Sequence, residues 1–131
     1  MKRKSRLQWR DVGRWWDTEG SGNIGVNRYH GKIKGRVARV NISQKEYEPL
    51  RIIGDFLTER NIFSRIYSLG GQVYSLQVFR QEDVYRFLRY VEPYVMTRNH
   101  KDTIRTLREF LNRPSRVKWK RRQTALRAIA L

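Results

Sequence analysis

Asp17 and Glu19 stand two residues apart in the stretch GRWWDTEGSGNIGV (residues 13–26). They do so in a chain of 131 residues whose 29 Lys and Arg against 12 Asp and Glu give a net charge of +17. Leu7, Trp9, Val12 and Trp16 recur before them at near-helical spacing, and Gly20, Ser21 and Gly22 stop the pattern. Glu19 therefore falls at the C-terminal end of a helix. There the negative pole of the helix dipole opposes a carboxylate unless a cation offsets it. One of the many arginines or a divalent metal would serve. Asp17 points to another side of the helix and reads as structural, bonding backbone at the helix end. His30 and His100, in a chain without cysteine, are too few for a structural zinc site.

The elements that must hold these carboxylates follow from periodicity. A first helix covers about residues 6 to 18. Alternation then predicts strands over 22–30 and 33–42, joined at His30-Gly31-Lys32. Ser43 and Glu46 have the spacing of a capping box, with Pro49 in the first turn, for a helix whose apolar face is Leu50, Ile53, Phe56 and Leu57. Two more strands, 62–68 and 72–79, flank Gly70-Gly71. Val84, Phe87, Leu88 and Val91 mark a third helix that Pro93 closes, and Ile104, Leu107 and Leu111 a fourth. The fold class is α+β, in the order α-ββ-α-ββ-αα with a four-stranded antiparallel sheet. The length favours one domain over residues 1–131. Its core is about 7–112, and 113–131 form a basic extension with seven Lys and Arg and no acidic residue.

A sequence pI near 11.1 implies a polyanionic partner, nucleic acid before an anionic membrane surface. Arg outnumbers Lys 21 to 8, and guanidinium forks suit phosphates and guanines. No apolar run is long enough for a membrane span and no stretch resembles a signal peptide. The expectation is an intracellular protein, cytoplasmic and nucleoid-associated or organellar, not secreted and with no membrane partner. The strands sharpen the choice of partner. One face alternates Ile24, Val26, Ala38, Val40, Ile42, Tyr74, Leu76 and Val78. The other presents Asn23, Gly25, Asn27, Tyr29, Val37, Arg39, Asn41, Arg65, Tyr67, Ser75 and Gln77, with His30, Lys32, Lys34 and Gln72 at or near the turns. Asn, Gln, Arg, Ser and Tyr pair with base edges in a major groove, and no strand carries an acidic residue. These residues are the expected contacts to double-stranded DNA.

Residues Val12 to Gly20, the serine after them and the ββαββ pattern beyond them resemble the LAGLIDADG homing endonucleases. The segments ISQK (42–45) and EPYVMTR (92–98) extend the resemblance over about residues 7–112. It implies a homodimer of single-motif chains meeting through the first helix at Val12, Gly13 and Trp16. Each chain would hydrolyse one phosphodiester of a long pseudo-palindromic DNA site. It also implies Glu19 as ligand of Mg²⁺ or another divalent cation, with the Thr18 backbone carbonyl beside it. Gln44 would orient the attacking water, and Arg98 would stabilise charge on the phosphate. Relatives carry a small residue where this chain has Arg14, and a catalytic lysine where it has Arg98. The alternative on the same fold is a non-cleaving protein: an intron RNA maturase or a DNA-binding protein.

Overall fold

Alternating side chains and a tight turn set the first half of the molecule. A computed structural model describes residues 7–112, and residues 27–29, 33 and 34 by their backbone alone. The basic extension expected over 113–131 lies outside the described residues. Helix α1 (Trp9–Glu19) runs directly into β1 (Gly20–Tyr29), which returns as β2 (Lys32–Gln44). His30 and Gly31 both have positive φ, 50° and 77°, as a two-residue hairpin turn of matching twist requires. Helix α2 (Tyr47–Glu59) follows, then β3 (Arg65–Ser68), β4 (Tyr74–Val78) and α3 (Gln81–Val91). A 3₁₀ turn (Glu92–Tyr94) and α4 (Arg98–Leu111) complete the order. The order α-ββ-α-ββ-αα is the one expected.

All pairings are antiparallel and the sheet order is β1-β2-β4-β3. β4 pairs with β2 only from Val40 to Gln44, so the outer part of the β1–β2 hairpin extends as a two-stranded ribbon. Val26 shows the consequence. It was expected on the packed apolar face, yet it is 41% exposed out on the ribbon. The helices cover the other apolar positions: Ala38, Val40, Ile42, Leu76 and Val78 join Val12, Trp16, Leu50, Phe56, Phe87, Leu88 and Leu107 in one core. Burying such side chains contributes about 1.5–3 kcal/mol each.

The capping box at Ser43 and Glu46 does not form. β2 continues through Ser43 and Gln44, paired with Ser75 and Tyr74, and α2 begins at Tyr47 with no side-chain bond from its cap residue, Glu46. Ladder hydrogen bonds to β4 outcompete a local cap. Pro49 still falls in the first turn of α2.

Candidate functional site

The junction of α1 and β1 is a sharp backbone turn beneath an indole. A Cβ at Gly20 would lie 2.1 Å from Trp16 Cδ1, so only glycine lets the chain pass there. Trp16 itself is fully buried, and its ring N–H donates to the Ser21 carbonyl at 3.1 Å. The turn holds Glu19 at the end of the helix with its side chain exposed.

Gln44, the last residue of β2, reaches the same point: its Nε2 donates to Glu19 Oε2 at 2.6 Å. The strand extension that cancels the capping box therefore brings Gln44 to Glu19. Among the described residues no arginine or lysine forms an ion pair with Glu19. The surface-arginine partner that Glu19 could have taken is thus absent among the described residues.

Asp17 does something different. It is 6% exposed and accepts four hydrogen bonds' worth of contact from the start of α4: Met96 N–H at 2.8 Å, Thr97 N–H at 3.2 and 3.3 Å to its two oxygens, and the Thr97 hydroxyl at 2.7 Å. Burial pushes this carboxyl up. The Thr97 hydroxyl, the two backbone N–H groups and the nearby His100 together outweigh burial and hold it below its ordinary value. Asp17 thus ties α1 to the segment that begins α4, and Arg98 is the next residue after that segment, exposed on the first turn. No hydrogen bond or ion pair joins Arg98 to Glu19 or Gln44 among the described residues.

The fold has a large set of known counterparts. No family model and no curated protein matches the sequence. Among solved structures, the homing endonuclease I-TnaI superposes with a TM-score of 0.62 at 15% identity, over 80% of this chain and 71% of that one. The homing endonuclease I-CvuI gives 0.61 at 14% identity, over 83% and 72%, and was crystallised with an I-CreI target in 2 mM Mg, the DNA not cleaved. The LAGLIDADG homing endonuclease I-SmaMI bound to cleaved DNA gives 0.55 at 20% identity, over 70% of this chain and 31% of its own.

The fold is that of the LAGLIDADG homing endonucleases.

On this LAGLIDADG fold the outer face of the sheet carries most of the residues expected to meet DNA. Val37, Arg39, Tyr67 and Gln77 line a shallow groove of about 680 Å³, together with Ser68, Leu69 and Phe79. The last three were missed: Leu69 lies in the hairpin loop, Ser68 is the last residue of β3, and Phe79 follows β4 in the alternation of Ser75 and Gln77 but is apolar and was not counted as a base contact. Arg39 leans across β1: its guanidinium lies over Gly25 and donates to the Val26 carbonyl at 3.3 Å. Asn41 accepts from the Ser21 hydroxyl at 2.6 Å. Asn23, His30, Lys32, Arg65 and Gln72 are exposed. The side chains of Asn27, Tyr29 and Lys34 lie outside the described part. Ser75 does not fit the expectation. It is 1% exposed in the middle of β4, between β2 and β3 and under the Gln77 amide, which donates to it at 3.5 Å. A side chain so covered cannot reach a base edge.

The expected dimer contacts also need correction. Val12 and Trp16 are fully buried in the chain's own core. Gly13 is buried as well, and a Cβ there would lie 2.9 Å from Tyr94 Cβ and 3.2 Å from the Val91 carbonyl. The small residue admits the chain's own 3₁₀ turn. The side of α1 left open carries the exposed Arg14 and Thr18, with Asp11 half-buried and Trp15 half-buried against the core beside them.

The donor set decides what ion could be held. Among the described residues no group of three or more His, Cys, Asp or Glu converges on one point. One exposed carboxylate, plus a carbonyl such as that of Thr18 from the unpaired last turn of α1, is too little for zinc. It fits Mg²⁺, which keeps several waters and takes the rest of its ligands from phosphates and one or two carboxylates. No described helix is long and apolar enough to cross a membrane.

Proposed function

We propose that the protein is a divalent-metal-dependent, sequence-specific double-strand DNA endonuclease that works as a homodimer. The observation that carries this reading is Glu19: an exposed carboxylate at a helix C-terminus, with no cationic partner among the described residues and a glutamine amide on one oxygen. Glu19, with the Thr18 carbonyl, would hold Mg²⁺, which when bound polarises a phosphate oxygen and favours water as nucleophile. Gln44 holds Glu19 in place and offers its amide to orient the water that attacks phosphorus. Arg98 faces the developing negative charge, as a fixed cation that cannot give up a proton. The net reaction adds water across one phosphodiester per chain, so that one bond to phosphorus forms as another breaks. Double-stranded DNA as partner is supported by the acid-free outer face of the sheet and by the Arg and amide side chains on it. An RNA-binding or non-cleaving protein on the same fold is the alternative. Cleavage of duplexes selected for binding from a randomised library, in Mg²⁺ and in EDTA, tests between them: binding with no cleavage in either would establish the alternative.

A single set of groups per chain makes half a site, so two chains must meet, and the exposed face of α1 is where this reading places the contact. Light scattering on the DNA complex should find two chains per duplex. Trp15→Glu should give a monomer that nicks poorly or not at all. A one-to-one complex that cuts both strands would sink the assembly.

Arg39 is the residue most suited to read a base, because Gly25 leaves room for its guanidinium and the Val26 carbonyl orients it. Arg39→Ala should relax preference at one or two base pairs by about 1–3 kcal/mol, leaving affinity for unrelated DNA little changed. Binding to a library of single-substituted sites would show it. A uniform loss across the library would instead make Arg39 a phosphate contact.

A further inference from the structure

His100 sits in the first turn of α4, and the proposed reaction gives it no part. Its Nε2 lies 2.7 Å from the Gly20 carbonyl oxygen. A carbonyl only accepts, so Nε2 carries a proton and donates it. Its Nδ1 lies 2.8 Å from the Thr97 hydroxyl and 3.6 Å from Asp17 Oδ1, and its backbone N–H caps α4 on the same hydroxyl. The ring stands edge-on to Trp16, with centroids 4.9 Å apart, and its side chain is only 16% exposed. The ring is therefore fixed on three sides before it reaches Gly20.

We propose that His100 is a positioning residue of the nuclease site, setting the separation of Glu19 from Arg98. Asp17 secures α4 to α1 two positions before the end of the helix, but Glu19 and Gly20 lie beyond that tie, where the helix has no internal partners for its last carbonyls. Among the described hydrogen bonds, the imidazole is the one α4 side chain that holds the junction itself. It spans from the residue after Glu19 to the turn that carries Arg98, 80 positions along the chain. Relative placement of reacting groups matters steeply, with about 10²-fold in rate for a misplacement of the order of 1 Å. The proposal rests on the endonuclease reading for the reaction it serves, though not for the tie it describes.

The isosteres separate the two ends of the imidazole. A glutamine amide reaches as far as Nε2, an asparagine amide only as far as Nδ1, and leucine replaces the ring's bulk with no donor. In the full-length protein His100→Leu and His100→Asn should lower single-turnover cleavage about 10- to 100-fold with DNA affinity within about two-fold, and His100→Gln should recover most of the rate. Amide hydrogen exchange at Glu19, Gly20 and Ser21 should quicken in the Leu and Asn variants and return in Gln. ¹⁵N spectra of the parent imidazole should show a protonated Nε2. Equal rates in all three folded variants, or losses that follow melting temperature with no rescue by glutamine, would make His100 structural only and overturn the proposal. A parent that binds but never cuts DNA would overturn the endonuclease reading and His100's share in it. Unchanged exchange at residues 19–21 in His100→Leu would separately overturn the tie.

Discussion

Glu19→Gln should fold, bind DNA in EDTA or Ca²⁺ as the parent does, and lose Mg²⁺-dependent cleavage by orders of magnitude. The substitution keeps the side chain's size and an acceptor for the Gln44 amide, which now meets Glu19 Oε2 at 2.6 Å. What it removes is the negative charge that would anchor the cation between helix end and scissile phosphate. Removing a single preorganised electrostatic contact already costs roughly 10²–10³ in rate in well-measured enzymes, and loss of the metal's anchor should cost no less. Because the side chain is exposed and pairs with no cation among the described residues, the melting temperature should move little. Single-turnover cleavage beside a calcium-supported binding isotherm makes the comparison. A variant that cuts at the parent rate would refute the metal assignment and leave only the fold.

Two residues earlier the expectation is reversed. Asp17→Ala should be among the most destabilising single changes in the chain, because it strips the acceptor from the Met96 N–H, the Thr97 N–H and the Thr97 hydroxyl in a part-buried place. An unpaired buried donor costs about 1–3 kcal/mol, so a total near 4 kcal/mol is expected. For a domain of this size that lowers Tm by well over 10 °C. Asp17→Asn keeps one carbonyl oxygen and should lose about half as much, and its folded fraction should still cut DNA. The pH dependence follows from the same bonds. The folded-state pKa of Asp17 lies below the ordinary 3.8, so the carboxylate's stabilisation is fully present above that value and is lost as the pH falls through the lower, folded-state pKa. Acid unfolding monitored to low pH should show this component in the parent and not in Asp17→Ala. Equal acid profiles would show that Asp17 does not couple protonation to folding.

Asp17 and Glu19 therefore divide along a line that their spacing already drew. Two positions apart on a helix are some 200° around it, so one carboxylate can turn inward while the other stays in solvent. Their acceptors and donors come from different elements. Asp17 meets the segment before α4, and Glu19 meets the end of β2. Nothing local to residues 13–26 names either partner, since Met96 and Thr97 lie about 80 residues away and Gln44 lies 25 away.

The element order was readable because each element carries its own period. Strand alternation, helical spacing and the Gly70-Gly71 and His30-Gly31 turns are local signals, and their backbone needs are met where expected, with positive φ at all four turn residues. The Gly20 turn and the structural part of Asp17 were readable on the same grounds. What only the tertiary structure decided is which neighbour covers each face. Val12, Gly13 and Trp16 share one side of α1 in either reading, but the core and the 3₁₀ turn claim that side, so the proposed dimer would have to use the side that carries Arg14 and Thr18. Ser43 could cap a helix or extend a strand, and the ladder to β4 chose the strand, which delivers Gln44 to Glu19. Ser75 alternates correctly and is still unreachable, because β2, β3 and Gln77 close over it. Periodicity assigns residues to a face. Burial depends on what packs against that face, and that is settled by contacts between residues far apart in the chain.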